Sequence, residues 1–231
     1  MRRSLLMTFV LLATAVAAWP AGAVVLGLDW GVIGHNGGAD AYNIYWNGGL
    51  NSGYVYAGSF SAYLGGTLGN PLPPNDGTYA GQVYCVDLSH DITLPTEYEV
   101  TPYLTSDPNV PMNNAAKAAW LYHNELPLVG NDVVKSAGLQ LALWNAVYDT
   151  DNSVSTGSFY ASGNATAVSF ANQCLASLAA ADYSGSTATL YHSTTGGQDM
   201  LGEVPVPEPG SLLLLGLGLG VAGLVVRRRP R

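Results

Sequence analysis

No arginine occurs between residues 24 and 203, and that stretch holds only Lys117 and Lys135 against fifteen acidic residues, a balance of −13. Phosphate backbones are bound by basic side chains, so this balance excludes a nucleic-acid partner. It disfavours anionic membrane surfaces for the same reason and suits solubility outside the cell. Six of the eight basic residues sit at the two ends instead: Arg2, Arg3, Arg227, Arg228, Arg229 and Arg231. Cysteine is equally scarce. Cys85 and Cys174 are the whole complement, which permits one disulfide in an oxidising compartment and excludes a disulfide-dense scaffold. His35, His90, His123 and His192 show no metal-ligand spacing. No nucleophile elbow, phosphate loop or paired catalytic carboxylates appear, so no cofactor is implied and a hydrolase has no constellation to rest on. Asp149, Asp151 and Ser153 alternate like the start of a calcium loop. Position 154 is not glycine and the twelfth position is Tyr160, so the pattern fails and reads as a capping loop.

Long apolar runs are absent except at the termini. Arg2-Arg3 precede an apolar stretch from Leu5 to Ala18, and Ala21-Gly22-Ala23 is a small-x-small cleavage site. This is the pattern of a signal peptide, residues 1–23, with cleavage expected after Ala23 and Ala18 as second choice. At the other end, Val204 to Ser211 is proline-rich and leads into the apolar run Leu212–Val226, which stops at Arg227-Arg228-Arg229. Fifteen residues fall short of the roughly 20 that a helix needs to cross a bilayer. Four glycines in the run weaken it further as a helix. The arginines are expected to stay cytoplasmic. A permanent single-span anchor is the plain alternative. With Pro207-Glu208-Pro209 before it, the tail, residues 204–231, resembles the PEP-CTERM sorting signal of Gram-negative bacteria. That resemblance implies export across the inner membrane, transient anchoring there, and processing near the Pro-Glu-Pro by a sorting transpeptidase of the exosortase type. It gives a destination, the outer surface or extracellular matrix, and no molecular role.

Residues 24–203 have the length of one domain. The first half is rich in Gly, Asn, Tyr and Trp, with short alternating runs between turn residues. Candidate strands are Tyr42–Trp46, Tyr54–Tyr63, Thr78–Leu88 and Tyr98–Tyr103. The period then changes to that of helices: Ala115–Asn124 behind the cap candidates Asn113 and Asn114, Asp132–Tyr148, and Asn164–Ala181. Thr187–Tyr191 closes as a strand. This order predicts an α+β fold, an antiparallel sandwich or barrel-like sheet layer with a three-helix subdomain on one side. The 14 tyrosines and 5 tryptophans either fill a β core and its edges or line a glycan-binding face.

One residue does not fit its helix. Val133, Ala137, Gln140, Trp144 and Val147 form a single apolar stripe, and Gln140 lies at its middle, with Lys135, Gly138, Asn145 and Asp149 opposite. An unpartnered buried amide costs roughly 1–3 kcal/mol, so Gln140 is either fully hydrogen-bonded or chemically used. Upstream, Val83, Cys85 and Asp87 share one face of a strand. The motifs Tyr84-Cys85-Val86-Asp87 and Gln140-Leu141-Ala142-Leu143-Trp144 together resemble the bacterial thioester domain. A threonine often precedes the glutamine in that family; here Leu139 stands in its place. The resemblance implies an internal thioester between Cys85 and Gln140, supported by Tyr84, Asp87, Ala142 and Trp144. It further implies covalent attachment to an amine-bearing surface protein or polysaccharide matrix component, with no catalytic turnover. Asp87, His90 and Tyr84 are the proton-transfer candidates nearest Cys85 in sequence. The competing reading is a Cys85–Cys174 disulfide stapling a non-covalent binding or structural protein, although Cys174 also suits a buried free thiol on the stripe of the third helix.

Overall fold

The computed structural model describes residues 23–33, 41–69 and 77–203. The signal peptide expected over residues 1–23 falls outside them but for Ala23; His35, Pro207, Glu208, Pro209, the run Leu212–Val226 and Arg227, Arg228 and Arg229 lie wholly outside. Nine strands and three α-helices follow in the order β1 (Val24–Ile33), β2 (Tyr42–Trp46), β3 (Asn51–Val55), β4 (Gly58–Leu64), β5 (Thr78–Cys85), β6 (Thr96–Leu104), α1 (Ala115–Val129), α2 (Val133–Tyr148), β7 (Tyr160–Ser162), α3 (Ala165–Ser177), β8 (Thr189–Ser193) and β9 (Met200–Gly202). The class is α+β, and the sheet layer is a closed barrel.

Alternation of apolar and polar side chains makes each barrel strand two-faced, and closure leaves no open edge. The strands run β1-β4-β5-β9-β8-β6 and back to β1, all antiparallel. Leu26, Leu28, Ala62, Val100, Leu190 and Leu201 are fully buried in it. A second sheet, β3-β2-β7, stands beside the barrel. The single strand expected over Tyr54–Tyr63 is two: the chain leaves the small sheet after Val55 and enters the barrel at Gly58. Gly58 adopts φ 149°, a conformation that side-chain-bearing residues rarely take, so alternation continues across a point where the backbone turns.

Helix α2 packs on β1, β4 and β5, and α1 and α3 pack on α2. It is therefore central rather than amphipathic, with every residue from Ser136 to Val147 buried. Gly138 and Asn145, expected on an exposed face, are inside. Gly138 allows the closest approach of α3, where an added Cβ would meet the Ala167 carbonyl oxygen at 2.7 Å. Asp132 caps α2, its carboxylate accepting the N–H groups of Val134 and Lys135. Asn114 does not cap α1 in the expected way; its Nδ2 donates to the Ala146 carbonyl at 2.9 Å and ties α1 to α2. Helix α1 continues past Asn124 through Pro127 and ends at Gly130 (φ 55°). A proline in a last turn forfeits one backbone bond, which tertiary packing outweighs here. Among the described residues no helix is long and apolar enough to cross a membrane.

Candidate functional site

Strand β5 ends at Cys85, whose backbone is fixed on one side by its register with Met200 of β9. Facing it on α2 is Gln140, and Trp144 follows one helical turn later. Cys85, Gln140 and Trp144 are all within 3% of full burial. The two motifs, 55 residues apart, meet through a reciprocal pair of hydrogen bonds. Cys85 N–H donates to Gln140 Oε1 at 3.1 Å, and Gln140 Nε2 donates to the Cys85 carbonyl at 2.6 Å. The carboxamide is thus held flat against the cysteine backbone, with both of its ends engaged.

The Cys85 thiol donates to the Asp87 carbonyl at 2.8 Å, and the Asp87 N–H points back at the sulfur from 3.4 Å. The strand has already ended there, so Asp87 lies in a turn rather than on the β5 face expected for it. Burial pushes the Cys85 thiol from an ordinary 9.0 up to about 12, partly offset by the Asp87 backbone bond. Among the described residues the buried Trp144 indole N–H has no partner in hydrogen-bonding geometry, though it lies near enough to the sulfur to favour its anion slightly. Ala142 is fully buried in α2.

Of the three proton-transfer candidates, two come together. His90 Nδ1 lies 2.6 Å from Asp87 Oδ2, while Asp87 Oδ1 accepts the Ser89 N–H. Tyr84 points elsewhere: its hydroxyl bonds to Ser136 Oγ at 3.2 Å and its ring meets Tyr122 edge-on. Burial pushes that phenol up to about 12.

A cavity of about 710 Å³ opens over Cys85, Gln140 and Trp144. Trp30, Trp46, Tyr54, Tyr56 and Phe60 form much of its wall, and the turn carrying Asp87, His90 and Asp91 forms another side. Sequence reasoning did not find the aromatic wall. Its members come from β1, the small sheet, the link between the sheets and β4, and no local spacing connects them. Neither cysteine is bonded to the other: both are free and buried, Cys174 within α3. The staple expected in the competing reading is absent because each thiol is packed on its own element. The aspartates after α2 act as a loop cap, Asp149 accepting the N–H groups of Thr150, Asp151 and Phe159.

The chain matches the PEP-CTERM protein-sorting motif over residues 205–229. An exosortase reads that motif during export, so the chain is an exported protein sorted through a transient membrane-anchored step of Gram-negative bacteria. No curated protein and no solved structure matches it.

Proposed function

We propose that this exported protein carries an internal thioester between Cys85 Sγ and Gln140 Cδ and uses it to attach covalently to an amine on the outer surface or in the extracellular matrix. The observation that carries the reading is the reciprocal hydrogen-bonded pair joining the Gln140 amide to the Cys85 backbone at the foot of a cavity. It places an amide carbon beside a cysteine with the donor it needs. When sulfur attacks Cδ, negative charge grows on Oε1, where the Cys85 N–H already donates. The C–N bond breaks and ammonia leaves with the thiol proton. The Trp144 N–H is free to answer charge on the sulfur.

The same burial protects the product. A thioester is neutral, so a site that penalises a thiolate tolerates it well. A thiol held near 12 is also a poor leaving group, which slows hydrolysis. An amine on a surface protein or polysaccharide then displaces the sulfur, leaving an amide on Gln140 and a free Cys85 thiol. The event occurs once per molecule, without turnover.

A second reading rests on the same pair. Both ends of the Gln140 amide are satisfied, as in an ordinary buried glutamine, and the aromatic cavity then binds a glycan or peptide non-covalently. Intact mass separates the two. The thioester form is lighter than its sequence by one ammonia and gains one methylamine on incubation with it. Full mass, indifference to methylamine and a titratable Cys85 thiol on unfolding would falsify the covalent reading and leave the binding module.

A further inference from the structure

Resting on the thioester reading, we infer that the Asp87–His90 pair is the built-in base that deprotonates the attacking amine. Cys85, Gln140, Asp87 and His90 line one cavity, and the imidazole is tied to the Asp87 carboxylate through Nδ1 at 2.6 Å. That bond leaves Nε2, which has no hydrogen-bond partner among the described residues, to accept a proton. The pair is positioned from two sides. Asp87 is locked by its own backbone contacts with the Cys85 sulfur, and the His90 carbonyl accepts a hydrogen bond from Gln198 in the segment before β9. A base at this point is therefore registered to the sulfur through two residues of backbone.

The surroundings explain why a base is needed and what it acts on. An amine approaching at neutral pH arrives protonated and cannot attack carbon. The cavity offers it Asp87, Asp91 and aromatic faces, with no lysine or arginine among the described residues of the wall. The ammonium gives its first proton to water. The neutral nitrogen adds to Gln140 Cδ while His90 Nε2 takes its second proton, and the C–S bond to Cys85 breaks. Of the two protons the nitrogen loses, the first is thus in water and the second passes through His90 to Cys85 Sγ.

The charged groups acting on His90 are Asp87 and, from the segment before β9, Asp199, itself paired with His192; Asp91 and Cys85 line the same cavity. Asp87 dominates, and its hydrogen bond and charge raise the imidazole above its ordinary value. The base form is thus lost on acidification from a higher pH than for a free histidine.

Methoxyamine tests this directly, because it is weakly basic and already neutral over most of the range where His90 titrates. Its rate of addition to the full chain is followed by mass between about pH 5 and 9. The wild type is expected to speed up with pH through one inflection lying above that of an ordinary histidine side chain. His90→Gln loses the inflection and reacts about 100-fold slower, at the low end for an assisting base. Asp87→Asn moves the inflection to lower pH. Free imidazole restores part of the rate to His90→Ala, and because His90 is half-exposed that variant keeps the fold. Both His90 variants retain the ammonia deficit. A His90→Gln protein that keeps the deficit and the wild-type pH profile overturns the assignment while sparing the thioester. A wild type without the deficit overturns both.

Discussion

Gln140 shows how much rides on one atom. Changing its Nε2 to oxygen, as in Gln140→Glu, sets an oxygen against the Cys85 carbonyl it now donates to at 2.6 Å. Ammonia can no longer leave, so the variant is expected at full mass. In a Cys85→Ala background, where the Gln140 amide stays intact, the orphaned carbonyl should cost about 1–3 kcal/mol, read from urea unfolding. The pH dependence of stability carries a second prediction. Cys85 ionises at about 12 in the fold and near 9.0 in the unfolded chain. The unfolded state therefore loses its proton first, and stability falls as pH rises from about 9 toward 12. Tyr84 and Tyr148, raised from 10.0 to about 12, act in the same direction over the upper part of that window. A thioester has no thiol proton, so methylamine-treated protein should lose stability more steeply above pH 9 than untreated protein, in parallel thermal melts. At this scale the sequence was informative. Gln140 stood out because an amide in an apolar stripe demands an explanation, and the explanation, Cys85, was already paired with it by motif. His90 was a candidate only by its nearness to Cys85 in sequence, because its partnership with Asp87 depends on a turn that begins only when β5 stops.

Among elements, α2 carries the site and was misjudged in one respect. Its period is helical and its start at Asp132 was legible, but a stripe implies an exposed back, and α2 has none between Ser136 and Val147. Helix α3 covers Gly138, and the loop after α2 meets Asn145, whose Nδ2 donates to Asp151 Oδ1 and to the Ser153 carbonyl. Gly138→Ala tests this. Helix propensity alone favours alanine by about 1 kcal/mol. The new Cβ meets the Ala167 carbonyl at 2.7 Å and Phe170 Cδ1 at 2.9 Å, and the carbonyl belongs to a backbone that cannot swing aside. Overpacking of this kind costs about 1–3 kcal/mol, so a net loss in the urea midpoint is expected, where an exposed helix face would give a gain. Strand β2 was legible to its end residues because it alternates between clear turns. Strand β1 was not identified, since Val24–Ile33 directly follows the stretch expected as a signal peptide and reads as its continuation. Strand β9 is three residues long and becomes a strand only by lying between β5 and β8.

For the molecule as a whole, the sorting tail gives the plainest test. Material recovered from outside the cell should yield no peptide from residues 1–23 or from Leu212–Arg231. Replacing Pro207-Glu208-Pro209 by alanines should leave precursor in the inner membrane, seen by fractionation and blotting. The tail was legible because its code is linear, whereas the cavity above Cys85 is assembled from five separate segments. The topology also sets how the protein would bear tension. Strand β9 is the last described strand before the tail, and its Met200 is the register partner of Cys85. Suppose one end of the chain is held beyond Gly202 and a captured partner pulls on Gln140. The force then runs through the Gln140 amide to Cys85, across one rung of the barrel to Met200, and out. Most of the barrel, α1 and α3 lie off that line, so a tug on the attached protein strains the short clamp around Cys85 and leaves the rest of the fold slack.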